Sequence, residues 1–139
     1  MPAADVSVAG MTVRLSVIEI VVEDMARSLA FYRRLGLDVP ASADTEPHVD
    51  CVLPGGIRVA WDTEDTIRSF DPGYVRGSGH GMGLAFELDT PAEVNDLYAA
   101  LVDEGYKGHK EPWDAFWGMR YAVLHDPDGN GVDLFSPLS

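Results

Sequence analysis

The sequence predicts an α+β fold built from two βαβββ modules, whose curved mixed sheets enclose a cleft. Three observations carry this. The order of strand-like and helix-like segments runs through the chain twice. Leu29-x-x-Tyr32 before Gly36 is echoed by Asn95-x-x-Tyr98 before Gly105. The glycine-led segment Gly56–Trp61 corresponds to Gly129–Leu134. With one helix on the outer side of each sheet, the inner faces are left to line a cavity.

Each element has its own justification. Thr12 to Val22 is dense in β-branched residues and stops at Glu23-Asp24, which reads as a strand followed by a helix cap. Met25, Leu29, Tyr32 and Leu35, with Phe31 alongside, recur at helical spacing; Arg27, Arg33 and Arg34 fall on the other side, and Gly36 ends the helix. Leu37–Ala41, Val49–Leu53 and Ile57–Asp62 are β-prone and complete the first module, at about 11–64. Residues 63–80 are rich in turn formers and read as a connecting loop. In the second module, at about 80–139, Met82–Leu88 is a strand. Thr90-Pro91-Ala92-Glu93 is a capping box with proline in the first turn. Val94, Leu97, Tyr98, Leu101 and Val102 form an apolar stripe that Gly105 terminates. Tyr106–Glu111, Gly118–His125 and Gly131–Phe135 follow as strands, the last two joined by the tight turn Asp126–Gly129. Residues 1–10 show no usable periodicity and read as a flexible tail before a single domain over 11–139.

Composition narrows the function. The chain has 139 residues, 46% of them hydrophobic, and 23 acidic against 10 basic side chains give a net charge of −13. One hydrophobic core is the default at this length. Nucleic acid and anionic membranes favour a basic face, and the longest basic run is the pair Arg33-Arg34, so neither is an expected partner. The single Cys51 can form no internal disulfide, and no apolar run reaches the length of a membrane span, which together predict a cytoplasmic protein. No nucleotide-binding glycine loop or serine-nucleophile motif occurs, and no cofactor is expected. His48, His80, His109 and His125 stand singly, without the spacing of a metal motif.

Two segments carry a family resemblance: Val22–Tyr32, VEDMARSLAFY, and Asp126–Leu134, DPDGNGVDL. With them the chain resembles the vicinal oxygen chelate superfamily, which includes glyoxalase I, extradiol dioxygenases and bleomycin resistance proteins. The likeness runs from Met11 nearly to the end. Within the superfamily it is most similar to the mitomycin-binding resistance proteins, through Val21–Met25, Gly55–Thr63 and Pro112–Tyr121. That resemblance implies a homodimer with two shared clefts, each holding a planar drug without modifying it.

Catalytic members of the superfamily hold a divalent metal through His or Glu side chains on the first and last strands of each module. Aligning the strand–helix junctions and glycine turns places Val17, Ala60, Gly83 and Asp133 at those four positions. Three of them carry no ligand atom, and a lone carboxylate falls short of a transition-metal donor set. Strand alternation sends Ile18, Ile20, Val22, Val59, Trp61, Leu84, Phe86, Leu88, Val132 and Leu134 to the helix side. Val17, Glu19, Arg58, Ala60, Asp62, Gly83, Ala85, Glu87, Asp133 and Phe135 then face the cleft. The rival reading is a metal-dependent lyase or isomerase of the same fold, with Glu19, Glu87 and Asp133 as the groups to suspect. Glu19, Asp62, Glu87 and Asp133 are also the oxygens that could gather a hard cation.

The most unusual stretch is Glu111–Gly118, where Trp113, Phe116 and Trp117 fall within five residues. Aromatic rings can cover a flat heterocycle, and Asp114 beside them can take a donor or a cation. Trp61 reads as a core residue beneath the first helix, with Asp62 next to it facing the cleft. The expected ligand-binding residues are Trp113, Trp117, Phe116, Asp62, Asp114, Arg58, His48, Tyr74 and Phe135, with no catalytic or metal-ligating residue. The function they predict is metal-free binding of a small planar or cationic drug-like molecule, as in antibiotic sequestration.

Overall fold

The computed structural model of the chain describes residues 6–8, 11–77 and 81–139. It divides into two compact units, one ending at Arg76 and the other beginning at Gly77. Both are α+β. Apart from Val6–Val8, the tail expected over 1–10 lies outside the described residues, as does His80.

The first unit opens with β1 (Val6–Val8) paired antiparallel to β2 (Met11–Val13). The strand expected over Thr12–Val22 is therefore divided, and its second part is β3 (Val17–Val22). Helix α1 (Met25–Arg34) starts where Asp24 accepts the backbone N–H of Arg27 at 3.1 Å. It ends at Gly36, whose φ of 91° lets the N–H groups of Gly36 and Leu37 return to the carbonyls of Arg33 and Tyr32.

The strand expected over Leu37–Ala41 does not form. Arg33 reaches back from α1 to the carbonyls of Val39 and Pro40, both at 2.7 Å, and Pro40 has no N–H for a ladder. The chain passes instead into a 3-10 turn, Ala41–Thr45, whose Asp44 also pairs with Arg33. β4 (His48–Val52) and β5 (Arg58–Thr63) follow. The sheet order is β3-β5-β4, parallel between β3 and β5 and antiparallel between β5 and β4.

The region expected to be a loop over 63–80 contains helix α2 (Glu64–Phe70). Thr63 caps it by accepting the N–H of Thr66, and Glu64 pairs with Arg68 one turn on. Ile67 is its one buried residue, which is why no apolar period announces it.

The second unit is the βαβββ module the sequence predicts. β6 (Gly83–Glu87) leads into α3 (Pro91–Asp103), where Thr90 and Glu93 form the capping box. Gly105 ends α3 as Gly36 ends α1, with N–H groups returning to Val102 and Leu101. β7 (Lys107–Ala115), β8 (Met119–His125) and β9 (Gly131–Pro137) complete a sheet ordered β6-β9-β8-β7. Buried Asp126 organises the β8–β9 turn, since its carboxylate accepts the N–H groups of Asp128 and Asn130.

In each unit the helix covers one face of the sheet. Leu29, Phe31 and Tyr32 of α1 are fully buried with Val22 and Trp61; Tyr32 and Trp61 meet at 5.7 Å, which places Trp61 in the core beneath α1. Under α3 lie Ala122, Leu124, Val132 and Leu134, all at zero exposure. Each buried Val or Leu side chain there contributes about 1.5–3 kcal/mol. No helix among the described residues is long and apolar enough to cross a membrane.

Candidate functional site

The side of each sheet turned away from its helix carries most of the groups singled out from the sequence. In the second unit the ladders align Glu87, Phe135, Tyr121 and Trp113 in one row across β6, β9, β8 and β7. Residues at directly opposed positions share a face, so the row is set by register. Tyr121 is its centre. Its ring lies 6.0 Å from Phe135 at 24°, and 5.5 Å from Trp113 and 5.3 Å from Trp117 in edge-to-face contact. Trp117 also meets Trp113 at 6.0 Å and Phe116 at 4.9 Å. Phe116 is 96% exposed and Trp117 47%.

The aromatic stretch Glu111–Gly118, which Pro112 and Gly118 mark in the sequence as loop or strand entry, is mostly strand. Trp113, Asp114 and Ala115 pair with Tyr121, Arg120 and Met119, leaving Phe116, Trp117 and Gly118 as the turn. This changes the position of Asp114. Adjacent strand residues face opposite ways, and Asp114 pairs with Arg120 at 3.0 Å while Arg120 also donates to Asn95 of α3. Asp114 therefore sits on the helix side, beside an open groove of about 450 Å³ bordered by Tyr98, Val102, Glu111 and Arg120. It does not join the rings.

Polar groups border the rings. The Tyr121 hydroxyl donates to Asp133 at 2.5 Å, and burial together with this hydrogen bond pushes the phenol up to about 12. The ammonium of Lys110 stands 4.4 Å over the Trp113 ring. His109 and His125, which read as isolated in the sequence, stack across β7 and β8 at 4.7 Å.

The corresponding face of the first unit is charged. His48 Nδ1 meets Asp62 at 2.5 Å and Nε2 meets Asp50 at 3.0 Å; Arg58 reaches Asp50 at 3.3 Å. The hydrogen bond to Asp62 holds the imidazole above its ordinary value, with Asp50 adding to the effect. A hydrogen bond between Glu19 and Asp62 raises the Glu19 carboxyl. Asp62 is only 5% exposed, so it sits as the buried link between the two. Of the expected residues, the structure thus gathers His48, Asp62 and Arg58 here, with Asp50 as the member that sequence reading missed. Tyr74 stands apart from them, beyond α2, where Arg68 lies 5.7 Å over its ring.

Comparison with known proteins gives this geometry its relatives. The model of the Glyoxalase/Bleomycin resistance protein/Dioxygenase superfamily matches residues 14–134. The chain belongs to that superfamily. No curated protein matches it. Among solved structures it is similar to a glyoxalase/bleomycin resistance protein/dioxygenase family enzyme from Burkholderia phytofirmans, with 22% identity and a TM-score of 0.76 over 89% of this chain and 98% of that one. A glyoxalase/bleomycin resistance protein/dioxygenase from Nocardioides aligns at 25% identity and TM-score 0.69, over 90% and 83%. A glyoxalase-related enzyme from Fulvimarina pelagi aligns at 21% and 0.73, over 88% and 87%.

Metal-dependent members of this superfamily draw ligands from the paired first and last strands, here β3 with β5 and β6 with β9. The residues at the four positions do not suit a metal. Val17, Ala60 and Gly83 offer no donor atom, and Asp133 is engaged by Tyr121. Among the described residues no three His, Cys, Asp or Glu side chains are placed to hold a metal ion. Both ring nitrogens of His48 already face carboxylates, which leaves no lone pair directed at an ion.

Proposed function

We propose that this superfamily member is a small-molecule binding protein that holds a planar aromatic compound against the rings of its second unit without breaking a bond. The observation that supports this reading is the connected set Trp113, Trp117, Phe116, Tyr121 and Phe135, with two rings left open at a β-turn. Exposed tryptophan and phenylalanine cost solvation unless something covers them, and a flat ligand gains about 0.5–1.5 kcal/mol per ring pair beyond the area it buries. Sequestration of an antibiotic or a related metabolite, as in the bleomycin and mitomycin resistance proteins, is the biological form of the proposal. It includes a homodimer working in the cytoplasm. The lyase or isomerase alternative lacks a donor set at the metal positions.

Intrinsic fluorescence tests the proposal. Titration with planar heteroaromatics and quinones is expected to give saturable quenching that weakens at least tenfold in Trp117→Ala, the loss of about 1.4 kcal/mol. If no planar compound saturates while the protein remains folded, sequestration by these rings is wrong.

A further inference from the structure

This inference rests on the ring platform proposed above and concerns what its polar border selects. Asp133 lies on the same face as the rings, two residues along β9 from Phe135. Its in-register neighbours, Ala85 on β6 and Val123 on β8, are apolar. One oxygen, Oδ2, accepts the Tyr121 hydroxyl. The other has no hydrogen-bond partner among the described residues, so a carboxylate acceptor stands half-buried beside the aromatic row.

Tyr121 adds to the same bias. Its proton is committed to Asp133, and a phenol pushed up to about 12 stays protonated at neutral pH, so toward a ligand it presents lone pairs only. Glu87, exposed and in register with Phe135, is a third acceptor. The cation nearest the rings, Lys110, stands at the far end of the row over Trp113. Across β6, β9 and β8 the groups nearest the rings therefore accept hydrogen bonds; His125, the side chain on that face of β8 that can donate, stands one row beyond Asp133 and stacks on His109. A ligand carrying an acceptor or an anionic group at that edge would meet lone pairs and like charge, whereas an N–H donor or a cation would satisfy Asp133.

We infer that the face selects planar aromatics with an amine, amidine or protonated ring nitrogen at the edge laid over β9, and that Asp133 is the residue determining this preference. The protein carries a strong negative field in the same sense, with a net charge of −13.

The test uses the full chain and three probes on one ring system at pH 7.5: 9-aminoacridine as the cation, acridine as the neutral form and acridine-9-carboxylate as the anion. Affinities from calorimetry are expected in the order cation, neutral, anion. Asp133→Asn should lower cation binding about tenfold and leave acridine within about twofold, the difference expected for one charged hydrogen bond. Tyr121→Phe removes the competing donor and should preserve or strengthen the cation preference. Trp117→Ala should weaken all three. Equal affinity for the three probes, or a cation preference unchanged in Asp133→Asn, overturns the role of Asp133 while leaving the platform intact. Failure of all three to bind the folded wild-type protein overturns the platform and the inference with it.

Discussion

The two sheets share a ladder plan and differ in what that plan displays. Val21, Asp62 and His48 occupy one row across β3, β5 and β4; the corresponding row across β6, β9 and β8 holds Glu87, Phe135 and Tyr121. One row further on, Glu19, Ala60 and Asp50 correspond to Ala85, Asp133 and Val123. Buried Asp62 thus stands where the other unit has a phenylalanine, and His48 where it has the central tyrosine. The second sheet also has a fourth strand, β7, which supplies Trp113; in the first, Arg33 holds Val39 and Pro40 out of the ladder. The same backbone can therefore carry an ion network or an aromatic platform. Which one appears depends on a few side chains at fixed register, so the family fold cannot by itself assign a function.

The contrast can be broken most strongly at the centre of the aromatic row. Tyr121→Ala removes ring contacts to three neighbours and the hydrogen bond to Asp133; urea unfolding should show a loss of about 2–3 kcal/mol, below the full core value because the ring is half-buried. Gly108→Ala attacks the other face of that sheet. A Cβ there would overlap the Tyr98 hydroxyl and come within 2.9 Å of its Cζ and 3.1 Å of Val102, so a loss of about 1–3 kcal/mol is expected. Comparing the helix caps sharpens the difference between the units. Thr90→Ala dismantles a capping box over 13 residues and should cost about 1 kcal/mol, against about 0.5 kcal/mol for Thr63→Ala at short, mostly exposed α2.

The smallest effect is the pH dependence of the charged face. His48 is raised above 6.5 by Asp62, so its stabilisation is full below that value and is lost as pH rises through the folded value. Glu19 is raised above 4.5, again chiefly by Asp62; the folded state holds its proton more tightly than the unfolded chain, and that contribution also falls with rising pH. Both slopes have the same sign. The urea midpoint should decline modestly between pH 5 and 8, and Asp62→Asn should flatten the decline. On the aromatic face, burial and the hydrogen bond to Asp133 push the Tyr121 phenol up to about 12. A midpoint rising over that interval would contradict this account of the His48 network.

Much of the fold could be read from the sequence because its signals are local. Asp24 and Gly36 bound α1, Thr90 and Glu93 start α3, and alternation placed Ile20, Val22, Val59, Trp61, Val132 and Leu134 on the buried side. The failures occurred where non-local contacts decide. The strand expected over Leu37–Ala41 is lost to a side chain on α1. In β7, register shifts between Gly108 and Lys110 and between Lys110 and Trp113 break the period of two, so the sequence gives no sign that Asp114 lies on the face opposite Trp113. Tyr121 was missed for the same reason. Once the turn is placed at Phe116–Gly118, counting outward from Ala115 and Met119 pairs Trp113 with Tyr121 directly. The partners of His48 come from β4 and β5 together, so no single-strand pattern shows them.

The central claim is tested most directly by the indole N–H resonances of the three tryptophans in a two-dimensional NMR titration with 9-aminoacridine. Trp61, fully buried beneath α1, serves as the internal reference. The account predicts saturable shifts at Trp113 and Trp117 while Trp61 stays in place. Shifts at Trp61 alone, or no shift at either of the other two while calorimetry reports binding, would contradict it.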